Sequence, residues 1–321
     1  MGINTPIEYC DSSINPVMGC NGCELYNKNR PDEENTCYAA ELTRRYAGLK
    51  GWPKSFDEPT FFPGRIEQAC RWPDLTGKDR PDKPWLNGAP RVIFLNDLSD
   101  SFTEDLDLEW SKPYIEMMKQ SPHVWLWLTK RPRRMARFFL DIIEYVPENF
   151  HLGTTVTSQK TVWRIPELFR LREIAPEAVL WVSAEPLLGP VDFDGYLGDL
   201  IRLNDDFTGT GINCVRAGGE SGKRARPTHP DWLRSIRNQC LDANVPFALK
   251  QLGEWTLCSQ VAGKATDFGV LSPEGEWYHL HTGWNGRDID PDTGEAYMVR
   301  VGKKAAGRML DGQTWDEFPT I

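Results

Sequence analysis

Short apolar runs recur along the middle of this chain, and segments with helical spacing separate most of them. The runs have the length and composition of buried strands and lie at Arg91–Leu95, Val124–Leu128, His151–Val156, Val179–Val182, Asn213–Ala217 and Pro246–Leu249. The segments with helical spacing are Leu108–Gln120, Pro132–Ile143, Val162–Ile174 and Asp231–Ala243. This alternation predicts parallel strands joined by right-handed crossovers, and therefore an α/β fold.

Polar residues that directly follow the apolar runs favour a barrel over a doubly wound sheet. They lie at Asn96–Asp100, Thr129–Arg131, Thr154–Thr155, Ser183–Pro186, Gly218–Ser221 and Lys250–Gln251. In a barrel these strand ends converge on one face, whereas a doubly wound sheet concentrates function at one switch point. We predict a partial TIM-type (β/α) barrel over residues 1–252 and an irregular, Gly- and Trp-rich extension over residues 253–321 that packs on the core.

Composition narrows the classes of partner. The net charge of -9 at pH 7 gives no general attraction to nucleic acid or to an anionic membrane. No apolar run reaches the roughly 18 residues of a membrane-spanning helix, and the first ten residues, MGINTPIEYC, do not resemble a signal peptide. We therefore expect a cytoplasmic protein without a membrane partner. In a reducing compartment its eight cysteines favour metal binding, catalysis or burial over disulfides.

Three cysteines near the start of the chain have the spacing of a metal site. Cys20 and Cys23 form a C-x2-C knuckle around Gly22, and Cys37 lies at the predicted start of a helix, where a thiolate is stabilised. Two interpretations follow from these residues. One is a zinc knuckle in which Cys10 or a histidine supplies the fourth ligand. The other is an iron–sulfur cluster held by three thiolates, with one iron open to a small molecule.

Several motifs carry a resemblance to a known family. They are NPVMGC, GC and CYA within Asn15–Ala39, SAEPLLGP at residues 183–190, AGGESG at 217–222, KQLG at 250–253 and VGKKAAGRMLDG at 301–312. In this order they resemble a phage-type protein family of unknown function that is regarded as radical-SAM-like, where SAM is S-adenosylmethionine.

The resemblance implies a TIM-type barrel of the radical SAM kind. It also implies a 4Fe-4S cluster on Cys20, Cys23 and Cys37, with SAM as cofactor and an external electron donor. Radical SAM enzymes have the spacing C-x3-C-x2-C, and here thirteen residues, Glu24–Thr36, separate the second cysteine from the third. That insert is polar, so it can loop out at little cost in free energy while the thiols converge.

Groups for binding SAM are available at the predicted strand ends. Asp97 and Asp100 are candidates for its ammonium group, and Ser183 and Glu185 for its ribose hydroxyls. The alternative for the two aspartates is that they cap the following helix. Gly218, Gly219 and Glu220 match the glycine-glycine-glutamate motif with which radical SAM enzymes bind the ammonium group, but they follow a late strand instead of the second. They are also compatible with an anion-binding loop or a simple turn.

The densest basic stretch, Lys130–Arg137, contains four residues that we predict to bind the phosphates of a nucleotide or nucleic acid: Lys130, Arg131, Arg133 and Arg134. The alternative is a solvated helix face.

Three functions remain open from the sequence. The first is a radical SAM enzyme whose substrate is a nucleotide or nucleic-acid base. The second is a module with a closed zinc or iron–sulfur site that contacts nucleic acid or another protein. The third is a barrel enzyme in which Glu185, Glu220 and Lys250 act as acid–base groups.

Overall fold

A computed structural model describes residues 2–31, 34–193, 195–198, 202–203, 206–207, 211–260, 267–280 and 286–319. Its strands, in chain order, are β1 (Ser12–Ile14), β2 (Val17–Met18), β3 (Thr60–Phe61), β4 (Val92–Leu95), β5 (Val124–Thr129), β6 (Phe150–Thr155), β7 (Leu180–Ala184), β8 (Arg202–Leu203), β9 (Asp206–Phe207), β10 (Cys214–Gly218), β11 (Phe247–Gln251), β12 (Trp255–Leu257), β13 (Phe268–Leu271), β14 (Trp277–Leu280) and β15 (Ala296–Arg300).

Its α-helices are α1 (Tyr38–Tyr46), α2 (Arg65–Cys70), α3 (Lys112–Gln120), α4 (Pro132–Arg137), α5 (Arg164–Phe169), α6 (Pro230–Asp242) and α7 (Lys303–Ala306). Shorter helical turns extend three of them, before α3 at Leu108–Ser111, after α4 at Phe138–Ile143 and after α5 at Arg170–Glu173. Proline within the first two positions begins α3, α4 and α6, where its missing N–H would have no partner in the helix.

Seven parallel strands form the main sheet, in the order β1-β4-β5-β6-β7-β10-β11. The sheet is a curled half-barrel with β1 and β11 at its edges. All six predicted strands are present as β4, β5, β6, β7, β10 and β11, and the four predicted helical segments are present as well. The prediction of an α/β fold with a parallel sheet is therefore confirmed at this level.

Large aromatic side chains fill the core beside β5. Trp127 is fully buried, and its ring makes edge contacts with Phe138, Phe139 and Phe150 at centroid distances of 6.1, 6.0 and 6.1 Å. Its indole N–H donates to Ser101 Oγ at 2.7 Å, so the polar edge of the ring is satisfied inside the protein. Trp127 therefore belongs to the packed core of the protein.

The chain divides into two compact units. Unit 1 comprises residues 1–155, 163–181 and 318–321, and unit 2 comprises residues 156–162 and 182–317. Unit 1 contains β1–β6, the beginning of β7 and α1–α5, and unit 2 contains the remaining elements. The domain boundary that we predict between residues 252 and 253 stays a prediction.

The C-terminal extension differs from the expectation of an irregular segment. Four strands form an antiparallel sheet there, in the order β12-β15-β13-β14. They are three to five residues long, and Gly269 within β13 lies against Trp277 and the backbone of Tyr278. Strands this short produce too few alternations for the sequence to reveal them. Among the described residues, no helix is long and apolar enough to cross a membrane.

Candidate metal centre

Two glycines shape the loop that carries the first two cysteines. Gly19 and Gly22 have φ angles of +105° and +125°. A Cβ atom at Gly19 would lie 2.9 Å from the carbonyl oxygen of Phe56, and one at Gly22 would lie 2.8 Å from that of Tyr26. Both positions therefore require glycine, because a side chain would be strained and would also collide with backbone.

Backbone hydrogen bonds then close the knuckle. The amide of Cys20 donates to Phe56 O at 2.8 Å, and that of Cys23 donates to Tyr26 O at 2.7 Å. The Cys23 sulfur accepts a hydrogen bond from the amide of Leu25 at 3.4 Å. These bonds hold both cysteines in one tight turn.

Cys37 joins the other two through packing. It is the N-cap residue of α1 and packs against a buried cluster that contains Cys20, Tyr26, Ala39 and Phe56. Burial raises the pKa of Cys20 and raises that of Cys37 to about 12, and the neighbouring Cys23 acts in the same direction on both. The structure therefore brings together the three cysteines that the sequence singled out.

Positive groups near the thiols act against this rise. The guanidinium of Arg131 lowers the pKa of Cys20, and the amides of Ala40 and Ala39 together with Lys130 lower that of Cys37, although burial outweighs them. Such positive groups stabilise negative charge, so they favour the binding of an anionic group at the three cysteines.

The donor chemistry fits an iron–sulfur cluster, because thiolates are its ligands and cationic groups lie nearby. The side chains are not arranged as a finished ligand set, since no three His, Cys, Asp or Glu groups in the described part of the chain stand in a metal-binding arrangement. Cys10, the candidate fourth ligand of a zinc site, is fully buried, and its carbonyl oxygen accepts a hydrogen bond from Lys83.

Arg131 connects the knuckle to two strand ends. Its guanidinium donates to Asn21 Oδ1 and Gly22 O in the knuckle, and to Asp100 and Glu104 at 3.0 and 2.7 Å. The side chain is only 10% exposed. We predict phosphate binding for Arg131 from the sequence, but the structure gives its donors four acceptors inside unit 1.

Asp100 is the buried anchor of this arrangement. Its carboxylate accepts hydrogen bonds from Thr129 Oγ1 at 2.7 Å and from the amides of Lys130 and Phe102 at 2.9 and 3.0 Å. Burial by itself would raise the pKa of Asp100, but Arg131 and these donors outweigh it and hold that pKa below its usual value. Both carboxylate oxygens therefore already have partners in the protein.

Asp97, the other candidate for the SAM ammonium group, is also engaged. Its Oδ1 accepts a hydrogen bond from Asn15 at 2.5 Å, and its carbonyl oxygen accepts one from Tyr38.

The remaining basic residues divide into two kinds. Arg134 donates to the carbonyl oxygens of Phe102 and Leu106 at 2.9 and 2.8 Å, so it stabilises the protein's own loop. Arg133 is 70% exposed and pairs with Glu167 at 2.7 Å. Only Lys130 and Arg133 of the four predicted phosphate ligands lack such a buried internal network among the described contacts.

An ion pair that the sequence did not indicate holds the polar insert. Arg164 donates to both oxygens of Glu24, at 2.9 and 2.8 Å, from 140 residues along the chain. Burial would raise the pKa of Glu24, but the hydrogen bonds from Arg164, together with the positive charges of Lys130 and Arg164, outweigh it and hold that pKa at about 2. No local pattern predicts such a pair, because nothing near Glu24 specifies Arg164.

Unit 2 brings together a second set of strand-end residues. Glu185 follows β7 directly and lies 3.2 Å from the ammonium group of Lys250 on β11. A Cβ atom at Gly218, at the end of β10, would lie 2.6 Å from Glu185 Oε1, so glycine leaves the carboxylate its space. Ser183 is buried within β7, and its carbonyl oxygen accepts a hydrogen bond from Val156.

Gly219 and Glu220 have structural partners. The amide of Gly219 donates to Gln251 O at 2.9 Å, and a Cβ atom there would lie 2.0 Å from Leu252 O. Both carboxylate oxygens of Glu220 accept hydrogen bonds from Arg226 at 2.8 Å. The Gly-Gly-Glu segment is therefore a close-packed turn whose acid is paired.

The chain matches a family model over nearly its whole length. The family is described as "Protein of unknown function (DUF5131)", and the match covers residues 4–319. No curated protein and no solved structure matches the chain.

Proposed function

The chain belongs to the DUF5131 family, and we propose that it is a radical SAM-type enzyme with a 4Fe-4S cluster on Cys20, Cys23 and Cys37. The observation that supports the proposal most is that Cys37 packs against the buried cluster containing Cys20, with Cys23 close enough to act on the pKa of both, although 13 residues separate the second cysteine from the third. A set of three thiols leaves one iron of a four-iron cluster open.

The chemistry that a bound cluster would supply is one-electron reduction of SAM, which generates a radical that abstracts hydrogen from a substrate. The chain's own residues orient the ligands. Arg131 fixes the backbone between Cys20 and Cys23 by donating to Asn21 and Gly22. The cationic groups of Arg131 and Lys130 would balance the negative charge of a thiolate-bound cluster.

For SAM itself we retain Asp97 of unit 1 as a candidate for the ammonium group, and the assignment of Ser183 and Glu185 to the ribose stays a prediction from the sequence. The carboxylate of Asp100 has four donors in the protein and Glu220 is paired with Arg226, so both fit structural roles better. Gly218 and Gly219 make room for the Glu185 carboxylate and for the backbone of Leu252, so they also fit structural roles better.

We further propose a nucleotide or nucleic-acid base as the substrate, with Lys130 and Arg133 as its phosphate contacts. The exposed guanidinium of Arg133 supports this assignment. The proposed enzyme acts in the cytoplasm and receives its electron from an external donor.

The deciding experiment is anaerobic purification of the full chain, followed by analysis of iron, sulfide and zinc. Electron paramagnetic resonance of the reduced protein is then recorded with and without SAM. We expect about four irons per chain, a reduced-cluster signal, and a change of that signal when SAM is added. The variants Cys20→Ala, Cys23→Ala and Cys37→Ala should each lose iron.

Cys70→Ala is the matched control, because Cys70 is partly exposed, as Cys23 and Cys37 are, and lies outside the loop. It should keep the full iron content. One tightly held zinc without iron would overturn the radical SAM assignment and favour the metal-dependent binding module. An iron–sulfur signal that does not change when SAM is added would exclude SAM chemistry but support the cluster.

A further inference from the structure

Unit 1 contains a cavity whose lining includes four aromatic side chains. It has a volume of about 200 Å³ and is lined by Phe61, Phe62, Trp110 and Tyr114 together with Glu67 and neighbouring residues. Phe61 lies at its rim and is 48% exposed. The rings of Phe61 and Trp110 are 5.6 Å apart and inclined at 60°, so they present adjoining faces and not one flat stack.

The orientation of Trp110 is fixed from outside the cavity. Its indole N–H donates to Ser101 O at 3.0 Å, and its ring makes an edge contact with the buried Trp127. The aromatic wall is therefore formed before any ligand arrives, which reduces the entropy cost of binding.

Glu67, in the first turn of α2, is the acidic member of the lining. Its Oε2 atom is buried and has no hydrogen-bond partner among the described residues. Arg65 on the same helix does not neutralise it, since that guanidinium donates to Asn15 O, Gly51 O and Met18 Sδ and covers the ring of Phe62 at 3.9 Å. Burial of a carboxylate oxygen without a hydrogen-bond partner costs free energy, so a positive group beside this atom would be stabilising.

We propose that this cavity binds a methylated ammonium group. The faces of aromatic rings attract cations, and methyl groups make such a cation a weak competitor for water and a good fit to apolar walls. The Glu67 carboxylate supplies the opposite charge. The volume is below the roughly 300–1,000 Å³ of pockets for whole cofactors, so a single head group fits it and a nucleotide does not.

The site is distinct from the proposed cluster. None of its lining residues is a cysteine, and the ligand class needs neither iron nor SAM. Its failure or success therefore leaves the radical SAM proposal untouched.

Calorimetric titration of the full chain with choline tests the site. The control ligand is dimethylbutanol, in which carbon replaces the quaternary nitrogen and the charge is lost while the shape is kept. We expect choline to bind with a Kd of about 1 mM or tighter and dimethylbutanol to bind at least about tenfold more weakly. Equal binding of both ligands, or no binding of choline, would overturn the proposal.

Two variants sharpen the test. Glu67→Gln keeps the shape of the side chain and should weaken choline binding by about tenfold or more. Glu109→Gln removes a nearby acid that is 59% exposed and pairs with Lys112, and it should leave binding unchanged. If Glu67→Gln binds choline as the parent chain does, the site is not a cation site.

The same group occurs on small molecules and on methylated lysine side chains. A parallel titration with a peptide that contains trimethyllysine separates these sources. Tighter binding of choline assigns the site to a small molecule, and tighter binding of the peptide assigns it to a partner chain.

Discussion

The strand ends of unit 1 and those of unit 2 carry similar residues but use them differently. In unit 1, Asp100 and Arg131 form a buried pair in which both side chains are about 90% covered, and Arg131 also donates hydrogen bonds to the knuckle. In unit 2, Glu185 pairs with Lys250 and Glu220 pairs with Arg226, as two separate ion pairs. Polar residues at strand ends therefore do not by themselves indicate a ligand site. Those of unit 1 support the knuckle, and those of unit 2 form two ion pairs.

The number of partners and the burial of the basic side chain explain the difference, since Arg131 is 10% exposed whereas Lys250 and Arg226 are 20% and 45% exposed. A desolvated charge is tolerated only when every hydrogen-bonding position is satisfied, and Asp100 and Arg131 meet that condition together. Glu185 and Lys250 are 10% and 20% exposed, and Gly218 leaves space beside the carboxylate. Substitutions in the network of unit 1 should therefore lower the free energy of unfolding more than substitutions in the pairs of unit 2.

The largest effect is expected for Arg131→Met. Removal of the guanidinium leaves Asp100 buried without its countercharge and releases the knuckle, which should lower the free energy of unfolding by about 3–5 kcal/mol. Urea unfolding followed by circular dichroism measures the change. A loss below about 1 kcal/mol would mean that the network is not a structural support.

Adjacent glycines in unit 2 provide the next comparison. Gly219→Ala drives a methyl group into Leu252 O and should cost about 1–3 kcal/mol. Gly218→Ala meets mainly the end of the Glu185 side chain, which can rotate away, so its cost should stay below about 1 kcal/mol while the Glu185–Lys250 pair is lost. Thermal unfolding of both variants decides the point, and equal costs would show that Glu185 cannot move.

In each unit burial lowers the pKa of one histidine, and this gives a pH dependence. Burial lowers the pKa of His229 in unit 2 and of His123 in unit 1 below the unfolded value of about 6.5. As pH falls below about 6.5, the unfolded chain binds protons that the folded chain excludes, so stability should fall by about 1 kcal/mol per pH unit for each histidine. Above that pH the contribution is constant.

His229→Asn isolates the contribution of unit 2. Asparagine can still accept the hydrogen bond that His229 Nδ1 receives from the amide of Asp231 at the start of α6, but it does not titrate. The pH slope of urea unfolding between about pH 6.5 and 5.5 should decrease in this variant. His279→Asn, at a position with a 63% exposed side chain, should leave the slope unchanged. A slope that survives in His229→Asn would assign it elsewhere.

The smallest effect is expected for Arg133→Met. Its side chain is 70% exposed, and a surface ion pair such as the one with Glu167 contributes about 0–1 kcal/mol. Measured beside Arg131→Met, it compares two arginines two positions apart in the same basic stretch. A loss of unfolding free energy as large as that of Arg131→Met would show that the exposed and buried arginines of that stretch contribute alike.

Much of the fold was predictable because its signals are local. The runs that became β4, β5, β6 and β7 are apolar enough to stand out, and the proline that opens α6 marks the start of that helix. The sheet of the C-terminal extension was not predictable, since β12 to β15 are short and the packing of the extension decides their pairing.

The candidate site was predictable only in part. The spacing of Cys20 and Cys23 and the helix start at Cys37 pointed to one loop, and the structure brings these residues together. Glu24 and Arg164 were missed, because each acts through a partner far away in sequence.

The alternation of strands and helices, the role of Gly22 in the knuckle and the cysteine spacing could be predicted, since each depends on neighbours along the chain. Which charged groups pair inside the protein depends on tertiary contacts. Arg131 meets Asp100 across 31 residues and Asn21 across 110. The sequence of a basic run does not show whether its guanidinium groups face solvent or buried carboxylates. Their partners depend on which strand ends the fold brings within hydrogen-bonding distance.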